Sequence, residues 1–122
     1  MRITIEKIEA NNIIYFTSEF GKAKAKWNDK KPECKTYDVE IDVENYLKWD
    51  IDIKSTSKPI NSIFIDKNGK TVITGIFESI DEDGYTVLRI GNSIITFLTE
   101  GNIPEVGKQV EINVDFICMT SY

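Results

Sequence analysis

Apolar and polar residues alternate with a period of two along most of this chain, and no segment sustains the longer period that marks a helix. The clearest case is the stretch GKAKAKWNDKKPECKTYDVEIDV, Gly21 to Val43. Residues two apart on a strand share a face. Ala23, Ala25 and Trp27 therefore point inward, with Lys22, Lys24 and Lys26 outward. Val39, Ile41 and Val43 likewise point inward, with Asp38, Glu40 and Asp42 outward. The same pattern predicts strands at Arg2–Glu9, Ile13–Thr17, Lys22–Trp27, Tyr37–Glu44, Lys48–Lys54, Ile60–Asp66, Thr71–Ile80, Tyr85–Ile90, Ser93–Leu98 and Gln109–Met119. Turn chemistry separates them, as in Asp66-Lys67-Asn68-Gly69, Asp81-Glu82-Asp83-Gly84 and Gly91-Asn92. Short strands at this spacing predict an all-β fold, an antiparallel open barrel or two-sheet sandwich, as one domain over residues 1–122.

Part of the pattern recurs. Ile8-Glu9-Ala10-Asn11-Asn12 parallels Ile80-Asp81-Glu82-Asp83-Gly84, each ahead of an apolar strand. Gly21 parallels Gly91, and Pro32-Glu33 before Val39-Glu40-Ile41 parallels Pro104-Glu105 before Val110-Glu111-Ile112. Spacings of 70 to 72 residues suggest a duplicated β-meander unit, residues 8–43 and 80–114, although meanders as a class look alike. In the second segment, IPEVGKQVEINV resembles the closing strand of oligonucleotide/oligosaccharide-binding barrels, with Gly107 at the turn and Val110 and Ile112 inward. TVITGIFESI, with Gly75 at a bend, is similar to the curved first strand of such barrels. The resemblance covers residues 71–118 and implies an open strand face that binds an oligomer. The helix such barrels carry between their third and fourth strands has no counterpart in the sequence.

The charged rows raise a question of partners. A hairpin closed by NDKKPECKT would set Lys26 opposite Asp38, Lys24 opposite Glu40 and Lys22 opposite Asp42. Each such pair contributes about 0.2–1 kcal/mol and fixes the register, because a slip of one residue would bury the charges. The carboxylates outrun the lysines. Glu44 continues the row, Asp50 and Asp52 extend it on the next predicted strand, and Tyr46 lies in the connection. Two readings fit. Glu44, Tyr46, Asp50 and Asp52 form a contact for a partner protein, with the aromatic as anchor. Alternatively, Tyr46 and Trp49 pack in the core and the carboxylates are simply solvated. A second acidic patch is Glu78, Asp81, Glu82 and Asp83.

Composition removes several kinds of chemistry. There is no histidine, and the two cysteines, Cys34 and Cys118, lack metal-ligand spacing, so neither a zinc site nor a histidine-activated nucleophile is expected. Both cysteines read as reduced thiols. The Asp66 and Asp81 turns lack the glycine and glutamate that a calcium loop requires at its sixth and twelfth positions. No phosphate-binding glycine motif occurs, and short turns leave little room for a substrate cleft, so no catalysis and no cofactor are expected. No apolar run reaches membrane-spanning length and no secretory signal is evident, which points to the cytoplasm.

The net charge is −5. Residues 1–58 carry 11 basic and 11 acidic groups, and residues 59–122 carry 4 and 9, so the second half holds the whole surplus. Such a chain repels nucleic acid and attracts cationic partners. In general character it is similar to small acidic bacterial immunity proteins. That implies a non-enzymatic inhibitor whose partner is a basic toxin, for example a nuclease. The rival expectation is a barrel that binds an oligonucleotide or oligosaccharide on Tyr15, Tyr85 and Phe97.

Overall fold

The computed structural model describes residues 1–122 and is all-β, with twelve strands and no α-helix. The strands are β1 (Arg2–Glu9), β2 (Ile13–Ser18), β3 (Gly21–Trp27), β4 (Thr36–Asp42), β5 (Leu47–Lys48) and β6 (Ile53–Ser55). They continue with β7 (Ser62–Ile65), β8 (Thr71–Ile80), β9 (Tyr85–Ile90), β10 (Ser93–Glu100), β11 (Gln109–Val114) and β12 (Ile117–Ser121).

Five strands close into a barrel. β1, β2 and β3 form an antiparallel meander. The C-terminal strand β12 then runs parallel to β3, with Ile117 beside Ala25 and Met119 beside Trp27. On its other side β12 is antiparallel to β4, with Met119 opposite Ile41. β4 returns to β1, with Ile3 opposite Tyr37. Inward positions are the apolar ones of the sequence pattern: Ile14, Phe16, Ala23, Ala25, Trp27, Ile41 and Met119 are all buried. The two alanines beside Phe16 and Trp27 leave room for large rings in a narrow interior, as small barrels require. The closed five-stranded ring is compatible with an oligonucleotide/oligosaccharide-binding-like barrel.

A second set of strands repeats this order outside the closed ring. β8, β9 and β10 form another antiparallel meander. β11 pairs with β8, β6 pairs with β11, and β5 runs parallel to β10. The fifth position is thus filled by β5 and β6 together, interrupted by a turn. The two meanders share registers: Ile5 faces Phe16 and Phe77 faces Leu88, each 72 residues further on. Ile13 facing Lys26 corresponds to Tyr85 facing Leu98 at the same spacing. Even the bulge recurs, between Ile5 and Lys7 in β1 and between Phe77 and Ser79 in β8. This spacing aligns Gly21 with Ser93, not with Gly91. An internal duplication would leave such a pattern.

The fifth strands are exchanged between the sets. The segment after β4 completes the second set, and the segment after β11 completes the first. The sets also join directly, because β10 runs parallel to β4 with Ile95 beside Ile41. One apolar cluster of 25 buried residues runs through both.

The structure corrects three expectations. β3 and β4 do not form a hairpin; β12 lies between them, so Lys22, Lys24 and Lys26 have no cross-strand contact with Asp42, Glu40 and Asp38. Asp38 instead takes two hydrogen bonds from the Arg2 guanidinium at 3.0 Å. The strand expected at Lys48–Lys54 is broken at Asp50, whose φ of +72° ends the pairing. The strand expected at Gln109–Met119 is two strands, split at Asp115-Phe116, and its halves serve different sets. The expected barrel segment 71–118 therefore does not hold the closed ring.

Two glycines permit close approaches. A Cβ on Gly75 would lie 2.5 Å from the Arg89 carbonyl oxygen, so β9 can lie tight against β8 only if this residue is glycine. Gly21, at φ +136°, faces the backbone of Ile63 in β7 with no space for a side chain. The expected outcome of Gly21→Ala is a loss of at least ~2 kcal/mol in urea unfolding, from left-handed strain plus the clash; a wild-type midpoint would refute this account. Met119→Ala, at a fully buried position, should cost ~2–5 kcal/mol. Because the fifth strands are exchanged, that loss should appear equally in both sets. Single-tryptophan variants test this, with Trp27 reporting the closed ring and Trp49 the second set. Two separate midpoints would contradict the coupling.

Candidate functional site

The predicted acidic residues do not form one surface. Tyr46 is 60% exposed whereas Trp49 is 5% exposed, so the aromatic pair splits between surface and core. Trp49 packs on Phe77 at 5.0 Å, and its indole N–H donates to the Thr99 hydroxyl at 3.1 Å. Asp52 accepts the Lys48 N–H at 2.9 Å and fastens the turn between β5 and β6. Asp50 sits at the tip of that turn, away from any shared row with Glu44. Asp81 likewise accepts the N–H groups of Asp83 and Tyr85 at 2.9 Å, an Asx turn that closes the β8–β9 hairpin. Asp66 plays the same part for Asn68 and Lys70. Glu82 and Asp83 are exposed beside Asp81 at the hairpin tip. Glu78 accepts from Arg89 at 2.5 Å on the outer face of the second meander.

That outer face is the first of two candidate surfaces. The two meanders have the same backbone pairing and opposite surface chemistry. Lys22, Lys24 and Lys26 of the first occupy the positions of Ile94, Thr96 and Leu98 in the second, and Thr4 occupies that of Ile76. Ile76 and Ile94 flank Arg89 on neighbouring strands, in one row across the sheet. Ile94 and Tyr85 are each 45% exposed, and Ile76 is 38% exposed. The face runs into a groove of about 490 Å³ between the two sets. Tyr85, Arg89 and Ile94 line one side of it, and Met1, Glu40 and Tyr122 the other. Glu78, Asp81, Glu82 and Asp83 lie on or beside this face.

The second surface follows from the position of β12. Lys26, Cys118 and Asp42 form one row across β3, β12 and β4. The two charged rows therefore face each other across an intervening strand, with backbones about 9.6 Å apart. Between them lies a depression of about 420 Å³, lined by Lys24 and Lys26 on one side and Glu44 on the other, with Phe116 and Cys118 also in its lining. The Lys24 and Lys26 ammonium groups sit over the Phe116 ring, 5.0 and 5.5 Å from its centre. The three ion pairs of the molecule are Arg2–Asp38, Lys70–Asp115 and Arg89–Glu78, and none includes Lys24, Lys26, Asp42 or Glu44.

Titration reflects this crowding. Burial, and then the charges of Glu44 and Glu40, raise the Asp42 carboxyl above its ordinary range. Burial followed by the Glu44 carboxylate pushes the Cys118 thiol up to about 11, so it stays protonated at neutral pH. Cys34 is exposed and Cys118 buried, and both are free thiols. The side chains form no cluster of three or more His, Cys, Asp or Glu that could hold a metal ion. No helix is long and apolar enough to cross a membrane.

Among the strand aromatics, Phe97 is core, Tyr15 lies half-buried on the outer face of β2, and Tyr85 is exposed. Ile94, Arg89 and Tyr122 were not among the sequence candidates. A signal existed, because SIITFLT carries apolar residues on both alternating faces. Such a strand is normally covered on both sides. Comparison with known proteins supplies no relative: no family model, no curated protein and no solved structure matches this chain.

Proposed function

We propose that this chain is a non-catalytic module that binds another protein and inhibits it, in its most concrete form the immunity protein of a basic toxin. The observation that carries the reading is the apolar outer face of the second meander, where Ile76, Tyr85 and Ile94 stand exposed around the Glu78–Arg89 pair. On the first meander the counterparts of Ile76 and Ile94 are Thr4 and Lys22, so the fold itself does not demand apolar residues at those two positions, although Ile13 stands at that of Tyr85. Exposed tyrosine, isoleucine and arginine beside a groove are the composition of interface centres. The rim supplies a sign. Asp81, Glu82 and Asp83 border the face, and residues 59–122 carry the chain's whole acidic surplus. An acidic rim around an apolar centre favours a cationic partner, steered by the rim and held by the centre. Inhibition then follows from covering the partner's own anion-binding surface.

A second reading has one observation in its favour. The Lys7 ammonium lies 5.7 Å from the centre of the Tyr15 ring. An aromatic beside a cation on the outer face of a closed barrel suits the stacking of a single-stranded nucleic acid.

Affinity purification from the native host with the wild-type chain and with Ile94→Asp separates the two. The inhibitor reading expects the wild type to retain a basic protein, and Ile94→Asp and Tyr85→Ala to weaken that complex by ~2 kcal/mol or more while thermal midpoints stay near wild type. Retention unchanged by both substitutions would sink it. Micromolar, salt-sensitive binding of single-stranded DNA that is lost in Tyr15→Ala would establish the second reading in its place.

A further inference from the structure

The trench above β12 lies apart from the face of β8–β10, and three of the charged groups that line it, Lys24, Lys26 and Glu44, take part in no ion pair. Two cations stand on one wall and carboxylates on the other, and the intervening strand prevents the ordinary cross-strand contact. Phe116 strengthens the separation. Both lysine ammonium groups rest on its ring, which holds them on the β3 side, away from Asp42 and Glu44. Burial and neighbouring carboxylates raise the Asp42 pKa beside this wall, and no ion pair of the molecule includes Asp42 or Glu44. Asp115 also lines the depression, and its carboxylate pairs with Lys70 at 3.9 Å.

The geometry points to a binding site for a small zwitterion of dipeptide size in this trench. The ammonium of the ligand lies against Glu44, and its carboxylate lies against Lys24 and Lys26. Opposed charges on the walls of a depression set up a field across it, and a dipolar ion aligned with that field is favoured where a simple cation or anion meets one attractive and one repulsive wall. Size agrees. The depression of about 420 Å³ falls in the ~300–1,000 Å³ range of small-molecule sites. The Asn45 and Asn68 side chains at the rim offer donors and acceptors to the peptide bond. The site is independent of the protein-binding reading, because it shares no residue with the face of β8–β10.

Amide-resolved NMR titration with alanyl-alanine, its N-acetyl form and its C-terminal amide tests the assignment on the full chain. The expected result is millimolar binding of the zwitterion, the scale that about ten heavy atoms support. It should shift the amides of Asn45, Asn68, Gly69 and Cys118, and both capped forms should bind at least ~10-fold more weakly. Glu44→Gln should reduce the zwitterion to the affinity of the acetylated form while leaving the acetylated form unchanged. Lys24→Gln combined with Lys26→Gln should do the same with respect to the amide. These are surface substitutions, and unchanged spectra away from the trench check the fold. Equal binding of all three peptides, shifts elsewhere on the surface, or no shifts at all would overturn the proposal.

Discussion

The structure depends on one placement: the C-terminal strand β12 wedged between β3 and β4. Parallel neighbours cannot be joined by a tight turn. β3 and β12 are separated by most of the chain, and the intervening residues build the whole second set of strands. The closed ring therefore needs residues from the far end of the chain, and the second set takes its fifth position from the segment after β4. Neither half can complete its own pairing. Such long-range contacts raise the entropic cost of the early steps and slow folding, but once made they tie both sets to one core. Asp29 reinforces the placement by accepting the N–H and hydroxyl of Ser121 at 2.6 and 2.7 Å, which anchors the end of β12 to the loop after β3.

Surface chemistry follows from the same placement. Had β3 and β4 been hairpin partners, the lysine and carboxylate rows would have met and neutralised one another. With β12 between them, the rows remain apart and a polar trench opens along the strand. Side chains of β12 that would otherwise face solvent become its floor, which is why Cys118 is only 2% exposed although it lies on the outer side of the barrel. A change of one neighbour in the strand order thus converts a solvated hairpin face into a depression with opposed walls.

Alternation made the strands legible, because burial on one face forces a period of two whatever the neighbours are. It also marked inward residues such as Ala25, Trp27, Ile41, Val110 and Ile112, all buried in the structure, and the recurrence of the meander. Neighbours were not legible. The pairing of Lys24 with Glu40 assumed that strands adjacent in sequence are adjacent in space, and nothing local to Gly21–Val43 encodes the arrival of residues 117–121. Lys48–Lys54 and Gln109–Met119 keep their alternation across a break, since the break lies in the backbone conformation of Asp50 and in the turn at Asp115-Phe116. The candidate carboxylates were legible as acidic groups. Whether each closes a turn, as Asp52 and Asp81 do, or stands free depends on contacts that alternation does not carry.

The comparison between the meanders bears hardest on function. Exposed apolar residues taken singly need no explanation, because most protein surfaces contain them. Here the chain supplies its own control, a second sheet of the same register that carries Thr4 and Lys22 where this one carries Ile76 and Ile94, while its middle strand keeps Ile13 and Tyr15 on the outer face. Selection for folding alone is satisfied by that polar version, and a polar face is the safer choice for keeping sheets apart. Exposed Ile76 and Ile94 carry a solubility liability that the other meander avoids with Thr4 and Lys22 at the same positions. The Glu78–Arg89 pair at their centre adds orientation, because a charge pair inside an apolar surface penalises a partner that leaves it unmatched. This contrast at Ile76 and Ile94 is the support for the protein contact proposed at the face of β8–β10.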